Sequence, residues 1–169
     1  DLKTIHNAIA IYATDIGSSF GNPQTVYTSL PDSSSTCGSY SLPALPGGWS
    51  YACAPSSTFR QVNGTGWLPI NFAQISFGSP LAVLPIDPVN TATGGLYYTY
   101  VNGSWELTAK MESSAYKSGG PKDVETADKG DTNSRYEIGS SLIAVTPDIG
   151  TGAIATLPDT SPPSVPTLT

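Results

Sequence analysis

Charge is what this chain has least of. Asp, Glu, Lys and Arg make up 12% of its 169 residues, about half the ~25% usual in globular domains. Lys and Arg number 7 against 13 Asp and Glu, a net charge of −6. With no basic stripe to neutralise phosphates, the chain is not built for nucleic acid, and an anionic membrane surface would repel it. Histidine occurs once, at His6, so a His-Glu-x-x-His helix is absent and any Ser-His-Asp triad would have to use that residue. His6 reads as a surface helix residue. Phosphate-cradling loops and dinucleotide fingerprints are missing too. The stretch Gly17-Ser18-Ser19-Phe20-Gly21 matches a nucleophile elbow in letters, but that turn needs a strand before it and a helix after it. Here a helical pattern precedes and Pro23 follows. No membrane span is visible. These gaps argue against an enzyme.

What fills the space is Ser, Thr, Gly and Pro, the hydroxyl-rich composition of secreted and surface proteins. The length suits one domain. Cys37 and Cys53, the two cysteines, are too far apart for a redox motif and too few for zinc. A disulfide is the expectation, with two free thiols as the alternative. It would staple a Pro/Gly/Ser loop at about 3 kcal/mol and implies an oxidising compartment.

Leu2, Ile5, Ile9, Tyr12 and Ile16 recur at helical spacing and predict an amphipathic α-helix stopped by Gly17. The pattern opens at Asp1 as if it continued upstream, as expected of a processed or truncated piece. Residues 17–69 are punctuated so often that only short elements fit. Asn71–Phe77 predicts a helical turn with Ile70, Phe72 and Ile75 inward, and Asp87 predicts a turn cap. The strongest local signal is Asn102-Gly103 between two alternating runs, a two-residue hairpin. In that register Tyr100 faces Trp105 and Tyr98 faces Leu107. Leu96, Tyr98, Tyr100, Trp105, Leu107 and Ala109 then share a core face under the helix. Tyr97, Thr99, Glu106, Thr108 and Lys110 share a wet face. Tyr136–Gly139 is the third strand, with Leu142–Val145 as an extension. The fold class is therefore α+β: an N-terminal helix on a small antiparallel sheet, with a disulfide-tied connecting region.

The densest run of charge lies in residues 113–135. The plain reading is a solvated loop. A sharper one takes Asp123, Asp128, Asp131 and Asn133, with Glu137 downstream, as oxygen ligands for Ca²⁺, although the spacing fits no EF-hand. Residues 151–169 read as a Thr/Pro-rich tail behind a head of residues 1–150.

The segment DLKTIHNAIAIYATDIGSS resembles the polar half of the long N-terminal helix of type IV pilins and type II secretion pseudopilins. LPIDPVN followed by GGLYYTY is similar to the entry into the sheet of major, G-type pseudopilins, SWELTAKMES to the second strand and RYEIGSSL to the last. The resemblance implies a structural filament subunit with residues 1–16 as the end of a longer helix. Its partners would be other copies of itself, joined through a preceding helix, and the inner-membrane assembly machinery. It would be membrane-inserted before assembly and then sit in a periplasmic or extracellular filament. It also implies calcium in a loop near the last strands. A different class remains open: an adhesin-like module in which Trp49, Tyr51 and Trp67 stack on a glycan.

Overall fold

A computed structural model of the chain describes residues 1–18, 20–102 and 105–142. Ser19, Gly103, Ser104, the expected extension over Ile143–Val145 and the tail 151–169 lie outside the described residues.

Helix α1 spans Leu2–Asp15 and buries Leu2, Ile5, Ala8, Ile9 and Tyr12, the predicted stripe with Ala8 added and with Ile16 left at the C-cap, partly buried. Asp1 holds the N-cap position without a side-chain cap bond. At the other end the backbone N–H groups of Ile16 and Gly17 both donate to the Tyr12 carbonyl, at 2.9 and 3.2 Å. Gly17 has φ +66°, a left-handed conformation that costs glycine nothing. Each buried aliphatic side chain of the stripe stabilises the fold by roughly 1.5–3 kcal/mol, far more than helix propensity over so short an element.

The sheet is larger than its strongest sequence signal predicts. Strands β1 (Thr25–Pro31), β2 (Ser50–Ala54), β3 (Thr99–Val101), β4 (Glu106–Ala109) and β5 (Tyr136–Gly139) form one five-stranded sheet in the order β2-β1-β3-β4-β5. Strands β1 and β2 run parallel and the other pairings are antiparallel, so the sheet is mixed. Both parallel strands come from the region where only short elements were expected. β1 is central and buried along most of its length, so it lacks the polar–apolar alternation that marks a half-wet strand.

The hairpin register also departs from a two-residue turn. Val101 pairs with Glu106, Tyr100 with Leu107 and Thr99 with Thr108, a slip of two from the predicted pairing. Side chains alternate with period two, so an even slip leaves every residue on its predicted face. Trp105 joins Asn102 in the connection instead of pairing in the ladder. The Asn102 amide donates to the Gly21 carbonyl at 2.6 Å, and the Trp105 ring lies 4.6 Å from that of His6.

Two registered rows explain the layering. Tyr27, Tyr100, Leu107 and Ile138 line up across β1, β3, β4 and β5 on the helix side. They pack with Leu2, Ile5, Ile9 and Tyr12 and with Trp67, Leu68, Ile70, Phe72 and Ile75 from the connecting region. The helical turn predicted there is a 3-10 turn over Phe72–Gln74, capped by the Asn71 side chain. Tyr98 and Ala109 join this core and Trp105 is partly buried against it.

Thr28, Thr99, Thr108 and Glu137 form the adjacent row on the back of the sheet. This face was expected to be wet, and it is not: Tyr97, Thr99, Glu106 and Thr108 are all buried. One part of it is covered by the Cys37–Cys53 disulfide, which packs with Leu30 and Tyr97. The other part is covered by the chain leading into β5.

Candidate metal centre

The back of the sheet carries the densest group of ionisable side chains among the described residues. Arg135, immediately before β5, is 1% exposed. Its Nε donates to Thr108 Oγ1 at 2.6 Å and one terminal nitrogen to the Tyr97 carbonyl at 2.7 Å. The guanidinium also lies over the Tyr97 ring, 5.4 Å from its centre. A planar guanidinium presents its donors in a fixed fork, suited to several acceptors held in place by the sheet. Thr108 Oγ1 continues the network to Thr99 Oγ1 at 2.7 Å.

Beside Arg135 three carboxylates converge. One oxygen each from Glu106, Asp131 and Glu137 lie within 4.8 Å of one another. Strand β4 supplies Glu106, β5 supplies Glu137, and the loop entering β5 supplies Asp131. Glu106 and Glu137 are buried while Asp131 is exposed, so the group opens to solvent on one side. Burial, aided by the Asp131 charge, pushes the Glu137 carboxyl up to about 7, and a hydrogen bond with Glu106 pulls the other way. Like charges this close favour a shared proton or a bound cation.

The loop is shaped around these oxygens. A Cβ at Gly130 would overlap the Glu137 carboxylate, so a larger residue there would have to push that carboxylate aside. Asp128 accepts from the Gly130 N–H at 3.0 Å and from the Glu137 N–H at 2.7 Å, which ties the loop to β5. The Thr132 N–H approaches Glu137 Oε2 at 3.4 Å. An all-oxygen donor set with charge in excess, cradled by a Gly-containing loop, is the chemistry of a hard divalent cation such as Ca²⁺. By type and placement these residues fit it.

The ligands expected from sequence divide accordingly. Asp131 and the downstream Glu137 belong to the cluster. Asp128 instead braces backbone N–H groups. Asp123 caps a turn, accepting from Thr126 Oγ1 at 2.6 Å and from the Gly119 N–H at 2.7 Å. These bonds, led by the Thr126 hydroxyl, hold its carboxyl below the usual range. Asn133 is exposed. Glu106 was missed because it was assigned to a wet strand face. The available signal was an acidic residue in each of two neighbouring strands, Glu106 and Glu137. The charged loop is less solvated than its composition suggests: Glu125 is buried and accepts from the Met111 and Ser118 N–H groups.

The remaining candidates are placed as follows. Asp87 caps its turn, accepting from the Val89 and Asn90 N–H groups. His6 packs on Trp105, and burial together with the Lys3 charge holds its pKa below the ordinary value. The indole of Trp67 is buried and donates to the Pro85 carbonyl at 3.0 Å. The Tyr51 hydroxyl donates to the Pro43 carbonyl at 2.9 Å, and burial raises its pKa. Both rings are packing elements here, which leaves Trp49, half-buried, of the three aromatics considered for glycan stacking. No helix among the described residues is long and apolar enough to cross a membrane. Comparison with family models, with curated proteins and with solved structures finds no match to this chain.

Proposed function

We propose that this chain is the head of a pilin-like filament subunit, of the type IV pilus or type II secretion pseudopilus kind, and that its back face holds Ca²⁺ at Glu106, Asp131 and Glu137. The observation that carries the reading is α1 lying on the antiparallel part of the sheet, its Leu2, Ile5, Ile9 and Tyr12 stripe in one core with Tyr100 and Leu107. A helix fastened along its whole apolar stripe works as a handle: force applied at its N-terminal end is spread over the core. The disulfide suits a periplasmic or extracellular filament. The subunit's partners are further copies of itself and the inner-membrane machinery that assembles them, and the full-length chain is membrane-inserted before assembly. The helix with its antiparallel sheet also supports the order of elements on which the resemblance rests.

Calcium has a mechanical part in this reading. It neutralises two buried carboxylates and draws the loop ligand Asp131 onto β4 and β5, so the last strand is clamped to the sheet. Antibody raised against the head, used for gold labelling of source cells and of their sheared surface fraction, tests the filament assignment. Label along filaments, with this chain as a major component of the sheared material, is the expected result. Recovery of the chain solely as a soluble monomer from cells that carry such filaments would overturn it.

A further inference from the structure

We infer that Asn63-Gly64 is a self-modifying site, at which the asparagine side chain deamidates without any enzyme. The reaction needs the Gly64 backbone nitrogen to attack Asn63 Cγ, the Cγ oxygen to carry negative charge in the tetrahedral intermediate, and Nδ2 to depart. The developing oxyanion and the leaving group each have a counterpart in the loop. Glycine places no Cβ in the way of the attacking nitrogen. Gly64 has φ +86° and a Cβ there would come within 3.4 Å of the Asn71 Cβ, so the position is held to glycine. Asn63 Oδ1 accepts from the Thr65 N–H at 3.2 Å and from the Thr65 hydroxyl at 2.7 Å. The hydroxyl has one proton and can turn it to Gln61 Oε1 at 2.9 Å instead, but the backbone donor stays. These donors point at the oxygen that becomes an oxyanion, which lowers the barrier as preorganised donors do elsewhere. Asn63 Nδ2, the leaving group, makes no hydrogen bond among the described residues, and Asn63 and Thr65 are exposed to water.

The step balances within the loop and water. The N–Cγ bond forms, the Cγ–Nδ2 bond breaks, and ammonia leaves with the proton lost by the Gly64 nitrogen. Water then opens the five-membered imide at either carbonyl, giving aspartate or isoaspartate. The second Asn-Gly pair, at Asn102, is the internal control. Its leaving nitrogen is tied to the Gly21 carbonyl at 2.6 Å, and the residue is half-buried. The outcome at residue 63 is a new negative charge at the rim of a groove that it shares with Arg60 and Val83. The isoaspartate branch also adds a main-chain methylene where Asn63 bridges Asn71. A long-lived extracellular protein would thus change the charge of this groove with age.

The test is a time course of the purified, disulfide-intact chain in neutral buffer, read by peptide mass spectrometry with fragmentation that separates aspartate from isoaspartate. Residue 63 is expected to gain about one dalton well ahead of residue 102. Replacing the exposed Thr65 by Val (Thr65→Val) should slow the gain by roughly threefold, less than an enzyme loses with one oxyanion donor because this loop is wet. Modification of Asn102 first, equal rates at both sites, no gain at residue 63, or a Thr65→Val rate equal to wild type would each overturn the inference.

Discussion

The two faces of the sheet are covered by different chemistry. The front buries Tyr100, Leu107 and Ala109 under a helix and a set of aliphatic and aromatic side chains. The back buries Thr28, Thr99, Thr108, Glu106 and Glu137 under a disulfide, a guanidinium and a loop. The front is held by surface removed from water, which acts without direction and tolerates approximate fit. The back is held by directed bonds, and each unmet donor or acceptor there costs about 1–3 kcal/mol. The front can therefore form from pattern alone, whereas the back depends on every partner being present.

Mutations that delete one face's characteristic interaction should separate the two. Leu107→Ala empties a site at the centre of the front core and should cost roughly 3–4 kcal/mol in urea unfolding, with or without calcium. Reducing the Cys37–Cys53 bond, or replacing both residues by serine, should cost about 3 kcal/mol for a loop whose ends are 16 residues apart. Thr108→Val keeps the shape of the back row but removes the acceptor for Arg135 and the partner of Thr99. A loss of about 1–2 kcal/mol is expected. If Thr108→Val proved neutral, the back face would be held by packing as the front is, and the contrast would fail.

A pH dependence confined to the back should accompany these effects. In EDTA, the Glu137 carboxyl keeps its proton up to about 7 in the fold, against an ordinary value of 4.5. The folded state then binds more protons than the unfolded chain across that window, so stability should fall as pH rises through it. The charged groups facing this carboxyl are Glu106 and Asp131, with Arg135 close enough to feel its charge, and Asp128 accepts from the Glu137 backbone N–H. Asp32 and Asp123 work in the other sense, because N–H and hydroxyl donors hold their carboxyls low, and their contribution is lost only at more acid pH. Saturating calcium should remove the decline above pH 4.5 by replacing the proton. Thermal melts across the range, with and without the cation, measure this directly.

The front face was legible because its residues obey two simple periods. Leu2 to Tyr12 repeat as a helix must, and Tyr98, Tyr100, Leu107 and Ala109 alternate as a strand must. Even the misjudged turn did no harm, since a slip of two preserves the faces. The back face was not legible. Thr and Glu at alternate positions look like solvent contacts, and the cover that buries them arrives from distant parts of the chain. β1 and β2 were hidden for a related reason. Val26 and Leu30 lie among Thr, Ser and Tyr on a strand buried on both sides, and the parallel partner Ser50–Ala54 is set by long-range pairing. Among the expected calcium ligands, Asp131 and the downstream Glu137 reach the cluster, because position in a strand ladder decides convergence and spacing along a loop does not.

Isothermal titration of the metal-free head with CaCl₂, followed by a thermal melt of the same sample, tests the central claim about the back face most directly. The account expects one binding event, a raised melting temperature at neutral pH, and loss of both in Glu137→Gln while the front-face variant Leu107→Ala retains them at a temperature where it is folded. Absence of binding heat together with an unchanged melting temperature in the wild-type protein would contradict it.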